Sequence, residues 1–420
     1  MSAFSFLHAA DIHLDSPLRG LERYEGAPVE EIRGATRRAF ENLVALAIDE
    51  EVAFVVIAGD LYDGDWKDYN TGLFFVRQMA RLAEAGIAVF VVAGNHDAAS
   101  HITRSLRPPG NVHLFATGAA ETVTMDAVGV ALHGRGFATR EVTEDLSLEY
   151  PPAVSGMLNI GVLHTSLTGR PGHQTYAPCS VDGLRGKGYQ YWALGHVHQR
   201  EVVSQEPWIV FPGNIQGRHA RETGAKGCSI VTVVDCRVGC VEHRDLDVVR
   251  WALCEVDATE SETFDDVLQA VEGALQSAAD SADGRLVAAR LRVSGATRAH
   301  GPLHARRAQL IAECRALTAV VAGDRLWLEK VLVETAPAAS DQTAARDDSL
   351  SGLLAGLADV GEAEQAVLAT ELSELRRKLP AELLSGPEAF DPTSPEALRS
   401  ALEDAKALLI ERLLGRNDAG

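Results

Sequence analysis

Ligand-type side chains recur at the ends of successive strand-like runs in the first half of this chain. Asp11-x-His13 follows the apolar run Phe4–Ala10, and Gly59-Asp60-x-x-Asp63 follows Ala53–Ala58. Gly94-Asn95-His96-Asp97 follows Val89–Ala93, His164 follows Leu158–Leu163, and Gly195-His196-x-His198 follows Tyr189–Leu194. Layered α/β folds build their sites at the carboxyl ends of strands. A lone D-x-H or a lone buried histidine is an ordinary core feature. Five such clusters in order, each after a strand-like run, point to one metal site.

The chemistry of these residue types agrees. Asp60 and Asn95 each come just after a glycine, which lets the backbone approach closely. Histidine, carboxylate and amide donors without thiolate suit Mn²⁺, Fe²⁺ or Zn²⁺. Two such ions roughly 3.5–4 Å apart activate water and clamp the oxygens of a phosphoester during in-line displacement.

The remaining sequence predicts a layered α/β fold. Apolar spacing predicts a helix over 28–50, with Ile32, Ala35, Ala39, Leu43, Leu46 and Ala47 on one face. A second helix is expected over 69–85, closed by Gly86. Short strands follow at 123–125, 129–133, 208–211, 229–235 and 241–245. Together these predict two partly mixed sheets in a sandwich over residues 1–248. Residues 250–336 predict a small α+β domain: strand 250–256, helix 264–279, strand 285–293, helix 304–317 and strand 326–334. The Ala/Thr/Ser/Pro-rich stretch at 337–349 reads as a linker. Residues 350–420 predict a helical segment, with helices at 350–357, 362–379 and 395–414. From 341 to 420 there are 16 acidic and 8 basic residues, a net of −8. A Leu-rich acidic tail too small for its own core is expected to dock on a partner protein.

Composition excludes several classes. No apolar run approaches the roughly 18–20 residues that span a bilayer. No basic region followed by an apolar stretch opens the chain, so no secretory leader is expected. The six cysteines form no C-x-x-C pair and read as reduced thiols of a cytoplasmic protein. The net charge of −20 runs against a chain that holds nucleic acid unaided. If the substrate is nucleic acid, a partner or a local patch supplies the basic surface.

The ordered series D-x-H, G-D-x-x-D, G-N-H-D, H, G-H-x-H resembles the signature of calcineurin-like metallophosphoesterases. The opening Phe6-Leu7-His8-Ala9-Ala10-Asp11-Ile12-His13-Leu14 is similar to the SbcD-like DNA repair nucleases. Residues 212–219, Pro-Gly-Asn-Ile-Gln-Gly-Arg-His, with Glu222-Thr223-Gly224 and Lys226-Gly227, resemble the YhaO branch. The resemblance implies one metal held by Asp11, His13, Asp60 and His198, and another by Asp60, Asn95, His164 and His196, with Asp60 bridging and Mn²⁺ the expected ion. It implies that His96 contacts the scissile phosphate and helps the leaving oxygen depart. Asp97 is expected to orient His96, and Asp63 has a similar supporting role. Some relatives carry histidine at position 63, where this chain has Asp.

Around this centre, Arg218 and His219 are expected to meet a phosphate. Tyr62 and Trp66 are candidates to stack on a base, against a packing role. Arg33, Arg37 and Arg38 make a basic stripe that reads first as a solvated face. His101 and His133 read as structural. The resemblance implies that 250–336 is a capping domain that guides DNA, that the tail docks on an SMC-like coiled-coil ATPase, and that a homodimer forms through the nuclease domain. The expected function is therefore two-metal DNA exo/endonuclease action. Hydrolysis of small nucleotides or other phosphoesters is the alternative, and a non-cleaving scaffold is a third reading that the full ligand set disfavours.

Overall fold

The computed structural model describes residues 3–16, 26–63, 69–99, 109–169, 175–338 and 362–379, with positions 384, 391–399, 401–402 and 405. The chain divides into two compact units. The first holds residues 1–252 and 282–288; the second holds 253–281 and the residues from 289 onward.

The first unit is built on two six-stranded sheets. It opens with β1 (Ala3–Ala9), then the helices α1 (Val29–Arg33) and α2 (Ala35–Asp49), and β2 (Phe54–Ile57). Next come α3 (Tyr69–Glu84), β3 (Ala88–Val91), the short α4 (Asn95–Ala99) and β4 (Val112–Leu114). The strands β5 (Glu121–Met125), β6 (Val130–Gly134) and β7 (Leu158–His164) precede α5 (Val181–Arg185) and β8 (Tyr191–Gly195). The strands β9 (Glu201–Gln205), β10 (Trp208–Phe211), β11 (Gly227–Val234) and β12 (Arg237–Asp245) complete it. The sheet orders are β12-β11-β1-β2-β3-β4 and β5-β6-β7-β8-β10-β9. β1, β2, β3 and β4 run parallel, as do β6, β7, β8 and β10. Antiparallel strands flank each parallel block.

Alternation along the central strands sorts the core into layers. In β2, Phe54 and Val56 join Phe6, Phe90, Leu132, Ile160 and Tyr191 between the sheets. Val55 and Ile57 turn to the other face and meet Ala39, Phe40 and Leu43 of α2 and Phe75 and Met79 of α3. A third cluster covers the outer face of the second sheet, with Phe137, Trp192, Leu194 and Phe211. All four residues of β2 are buried, as expected for a strand covered on both faces. Burying each such side chain contributes about 1.5–3 kcal/mol. These layers hold the parallel strands rigidly, so their carboxyl ends share one edge.

The helix expected over 28–50 is interrupted at Gly34, which closes α1 and opens α2.

The second unit carries most of a three-stranded sheet in the order β13 (Val249–Asp257), β14 (Leu286–Thr297) and β15 (Leu326–Pro337), and the helices that pack with it. α6 (Phe264–Asp280) begins with a capping box: Thr263 and Asp266 each accept a backbone N–H of the other. Its Val267, Val271 and Leu275 form one buried stripe. The helix expected at 304–317 is two helices, α7 (His300–Ala305) and α8 (Arg307–Ala322). α8 packs on α6 and on β15. Arg290 and Glu329 form a two-pronged pair at 2.7 and 2.8 Å across β14 and β15. Of the tail, α9 (Glu362–Lys378) matches the helix expected at 362–379. The helix expected at 350–357 lies outside the described residues, as does most of 395–414. Among the described residues no helix is long and apolar enough to cross a membrane.

Candidate metal centre

The parallel blocks place five ligand clusters on one edge, and the backbone leaves its strands there in an uncommon way. Asp11, His13, Asp60 and His196 take positive φ angles of 52°, 47°, 52° and 100°. Aspartate and histidine are among the few non-glycine types that occupy this region with some frequency. The turn directs consecutive side chains inward where a strand would alternate them. The N–H groups of Asp11 and His13 donate to the carbonyls of Gly59 and Asp60, both at 3.0 Å, so the ends of β1 and β2 stay side by side. Gly59 has a φ of 98°, and a side chain there would collide with the His164 ring.

The donors converge. His13 Nε2 and His198 Nε2 lie 3.3 Å apart, and His198 Nε2 is 3.9 Å from Asp11 Oδ1. Asp60 Oδ2 lies 3.9 Å from His13 Nε2 and 3.5 Å from His164 Nε2, between the two histidines. His164 Nε2 is 3.0 Å from Asn95 Oδ1. The groups Asp11–His13–His198 and Asp11–Asp60–His164 each gather ligand atoms within 4.8 Å of one another. The His196 ring stacks edge-on to His164 with centroids 5.3 Å apart, and its backbone N–H donates to Asp11. The structure thus brings together Asp11, His13, Asp60, Asn95, His164, His196 and His198.

Electrostatics fit a cation. Burial and the charge of Asp60 push the Asp11 carboxyl well above the usual carboxylate range. Burial would raise Asp60 too, but His164, His13 and His96 outweigh it and hold Asp60 at about 2. Burial lowers His13 and His164 and takes His198 down to about 3, so their ring nitrogens keep lone pairs for coordination. A divalent ion among these donors would take the place of the proton that burial favours on Asp11 and supply positive charge where the imidazoles are neutral. Imidazole, carboxylate and amide donors without thiolate match a borderline or hard divalent metal.

His96 stands beside these groups. Its Nδ1 lies 2.9 Å from Asp63 Oδ1, and Asp63 accepts the Ser16 hydroxyl at 2.6 Å through its other oxygen. Burial would lower His96, but Asp63 and Asp60 outweigh it and raise its proton affinity. The expectation that Asp97 orients this ring is corrected. The Asp97 carboxylate accepts the backbone N–H groups of Leu61, Tyr62 and Gly94 at 3.1, 2.9 and 3.0 Å. Amides from two loops bind it, so it fastens the β2 and β3 ends together. Burial, and then Asp60, raise Asp97 to about 7.

The outlying candidates divide. Arg218 reaches the site, with Nη2 3.2 Å from Glu222 Oε1 and 3.4 Å from His198 Nδ1. His219 is half exposed at the rim, 3.7 Å from Glu222. Tyr62 is a correction: it is 5% exposed and packs edge-on to Phe75, which removes its face from any base. Arg37 pairs with Asp15 and lies over the Phe74 ring, and Arg38 donates to the Glu31 carbonyl. His133 is held by Thr122 and Asn159. Trp66 and His101 lie outside the described residues.

Sequence reasoning passed over three supports. Phe137 and Tyr176 press edge-on against the rings of His164 and His196. Glu222, named earlier only as part of a motif, is buried against His198. Only the polarity of Glu222 beside Arg218 could have signalled it.

The profile of the calcineurin-like phosphoesterases matches residues 4–200, and that of the metallophosphoesterase YhaO middle domain matches residues 251–336. An uncharacterised metallophosphoesterase, YhaO of Bacillus subtilis, is 35% identical over 276 residues, covering 65% of this chain and 67% of that protein. The DNA double-strand break repair protein Mre11 of Methanopyrus kandleri is 27% identical over 231 residues, covering 49% of this chain and 48% of its own length. Mre11 of Haloferax volcanii is 27% identical over 270 residues, covering 63% and 57%. The chain thus spans about half of these Mre11 proteins and two thirds of YhaO.

Proposed function

Since this chain belongs to the calcineurin-like metallophosphoesterases, we propose that it is a two-metal-dependent DNA phosphodiesterase of the SbcD/YhaO kind, acting in DNA repair. The convergence of Asp11, His13, Asp60, Asn95, His164, His196 and His198 on one strand edge carries this reading. Asp11, His13 and His198 would hold one divalent ion, Asn95, His164 and His196 the other, and Asp60 would bridge them. Mn²⁺ is the proposed ion, with Fe²⁺ and Zn²⁺ compatible with the same donors. When bound, the pair supplies an activated water and neutralises charge on the phosphoryl oxygens.

The chain's own groups do the rest. With Nδ1 engaged by Asp63, His96 has Nε2 left to face a substrate oxygen, and 29% of its side chain is open to solvent. Asp63 and Asp60 favour the protonated ring. His96 therefore holds a proton at Nε2 for the leaving oxygen. Arg218 offers a guanidinium to a non-bridging phosphate oxygen, with His219 at the rim.

The proposal extends to domains and partners. Residues 1–248 form the nuclease domain, 250–336 a cap that guides DNA, 337–349 a linker, and 350–420 a segment that docks on an SMC-like coiled-coil ATPase. The Mre11 relatives support DNA as substrate. A homodimer through the nuclease domain is part of the same reading. Six free cysteines support a reducing, cytoplasmic setting. One observation favours a second reading: the net charge of −20 suits small nucleotides or other phosphoesters better than unaided DNA.

The test is Mn²⁺-dependent cleavage of end-labelled single- and double-stranded DNA, with bis-(p-nitrophenyl) phosphate alongside. His96→Ala is expected to lower turnover by about 10²–10⁴-fold with Mn²⁺ binding retained. Diester turnover with DNA left intact, even after the ATPase is added, would favour the second reading.

A further inference from the structure

Glu222 sits 7% exposed at the centre of a ring of donors. Its Oε1 accepts from His198 Nδ1 at 2.6 Å and from Arg218 Nη2 at 3.2 Å. Its Oε2 accepts from the Arg218 backbone N–H at 2.7 Å and from Asn214 Nδ2 at 3.0 Å. Every one of these partners donates. An ionised carboxylate only accepts, so it satisfies all four at once. With Nδ1 of His198 donating to Glu222, the lone pair lies on Nε2, the atom that faces His13 Nε2 and Asp11.

His164 and His13 are backed differently. His164 Nδ1 sits 2.9 Å from the carbonyl of Ala58, a neutral partner. The nearest carboxylate to His13 Nδ1, that of Asp63, lies at 3.6 Å and is already shared with His96 and Ser16. A close carboxylate partner makes an imidazole a more basic ligand and locks its tautomer. His198 thus has a closer carboxylate behind its ring than His164 or His13 has.

We infer that Glu222 is a positioning residue: it holds His198 in the tautomer that coordinates through Nε2, and it couples that ligand to Arg218. This rests on the dinuclear reading above. The consequence is asymmetry: the ion held by Asp11, His13 and His198 depends on Glu222, and the ion beside Asn95 and His164 does not.

Glu222→Gln is the decisive variant. It keeps the shape of the side chain but adds an amide that donates. Whichever way that amide turns, its NH2 meets donors, and His198 loses its ionised carboxylate partner. Calorimetric titration of the metal-free full chain with Mn²⁺ should show two equivalents for the wild type. In Glu222→Gln one equivalent weakens by about 10–100-fold and the other stays. ¹⁵N spectra of the histidine side chains should show the Nδ1-protonated signal of His198 shifted or lost in the variant. Glu222→Asp, which only accepts but is one methylene shorter, should recover part of the affinity. If Glu222→Gln fails to fold, Glu222→Asp carries the same test.

Melting lowered in Glu222→Gln with both Mn²⁺ affinities and the His198 signal unchanged would overturn the inference and leave Glu222 a loop tie. Equal weakening of both equivalents would overturn the asymmetry. A wild type that binds no Mn²⁺ would overturn the dinuclear reading itself, and the inference with it.

Discussion

The strand edge of the first unit and the helical face of the second unit obey different rules. At the strand edge, Asp11, His13, Asp60 and His196 adopt left-handed backbone, and the carboxylates of Asp11 and Asp60 are buried within one cluster. In the second unit, the positive-φ positions among the described residues are the glycines Gly295 and Gly323. Its helix α6 starts with a capping box and buries Val267, Val271 and Leu275 in one stripe. A non-glycine residue in the left-handed region costs about 1–2 kcal/mol. The strand edge carries several such costs together with charge burial, and the surrounding layers of Phe54, Phe6 and Tyr191 offset them. At the strand edge these departures from local preference coincide with the ligand set.

That contrast can be broken at either end. Leu275→Ala should cost the second unit about 3 kcal/mol, since the side chain is fully buried. Urea unfolding would register the loss, while Mn²⁺ affinity by titration should stay the same. A parallel fall in Mn²⁺ affinity would show that the scaffold and the site are not separable.

Asp11→Asn should act in the opposite sense. Burial and Asp60 hold the Asp11 carboxyl above its ordinary value, so the folded chain binds that proton more tightly than the unfolded chain. Stability of the metal-free protein from this group is present at low pH and declines as pH rises past the ordinary carboxylate value toward the folded one. Removing the charge should therefore raise the melting temperature of the metal-free protein at neutral pH, by roughly 2–4 °C for each kcal/mol recovered, and flatten that decline. Mn²⁺ affinity should fall in the same variant. Calorimetry that showed a lower melting temperature instead would remove the claim that the edge is electrostatically strained.

The smallest effect is at the helix start. Thr263→Ala removes one side of the capping box and should cost about 1 kcal/mol by urea midpoint. Diester turnover should be untouched. A change in turnover there would tie α6 to the chemistry.

How much of this was legible depends on the distance over which each signal acts. The strand Trp208–Phe211 and the buried stripe of α6 were visible because alternation and helical spacing are local. The polar strand Glu201–Gln205 was not, since it lies at the edge of its sheet and is mostly half-buried. The break at Gly34 was hidden because its backbone stays in the right-handed region and the apolar spacing runs through it. At the site, the ligand-type residues could be named from their position after strand runs. Which of the two supporting carboxylates meets His96 could not. Asp97 is its neighbour in sequence, yet the ring meets Asp63, because α4 turns the Asp97 carboxylate back onto the amides of Leu61, Tyr62 and Gly94.

By itself, then, the order of residues determined the α/β layering and the set of groups at the strand ends, because period-2 and period-3.6 burial and the glycine turns are written in short windows. Only the tertiary structure decided which oxygen faces which nitrogen. Asp60 between His13 and His164, Asp63 on His96, Glu222 beneath His198 and Tyr62 against Phe75 are meetings between segments far apart in the chain. Such pairs are set by how two packed sheets bring their edges together, and no local pattern encodes that distance.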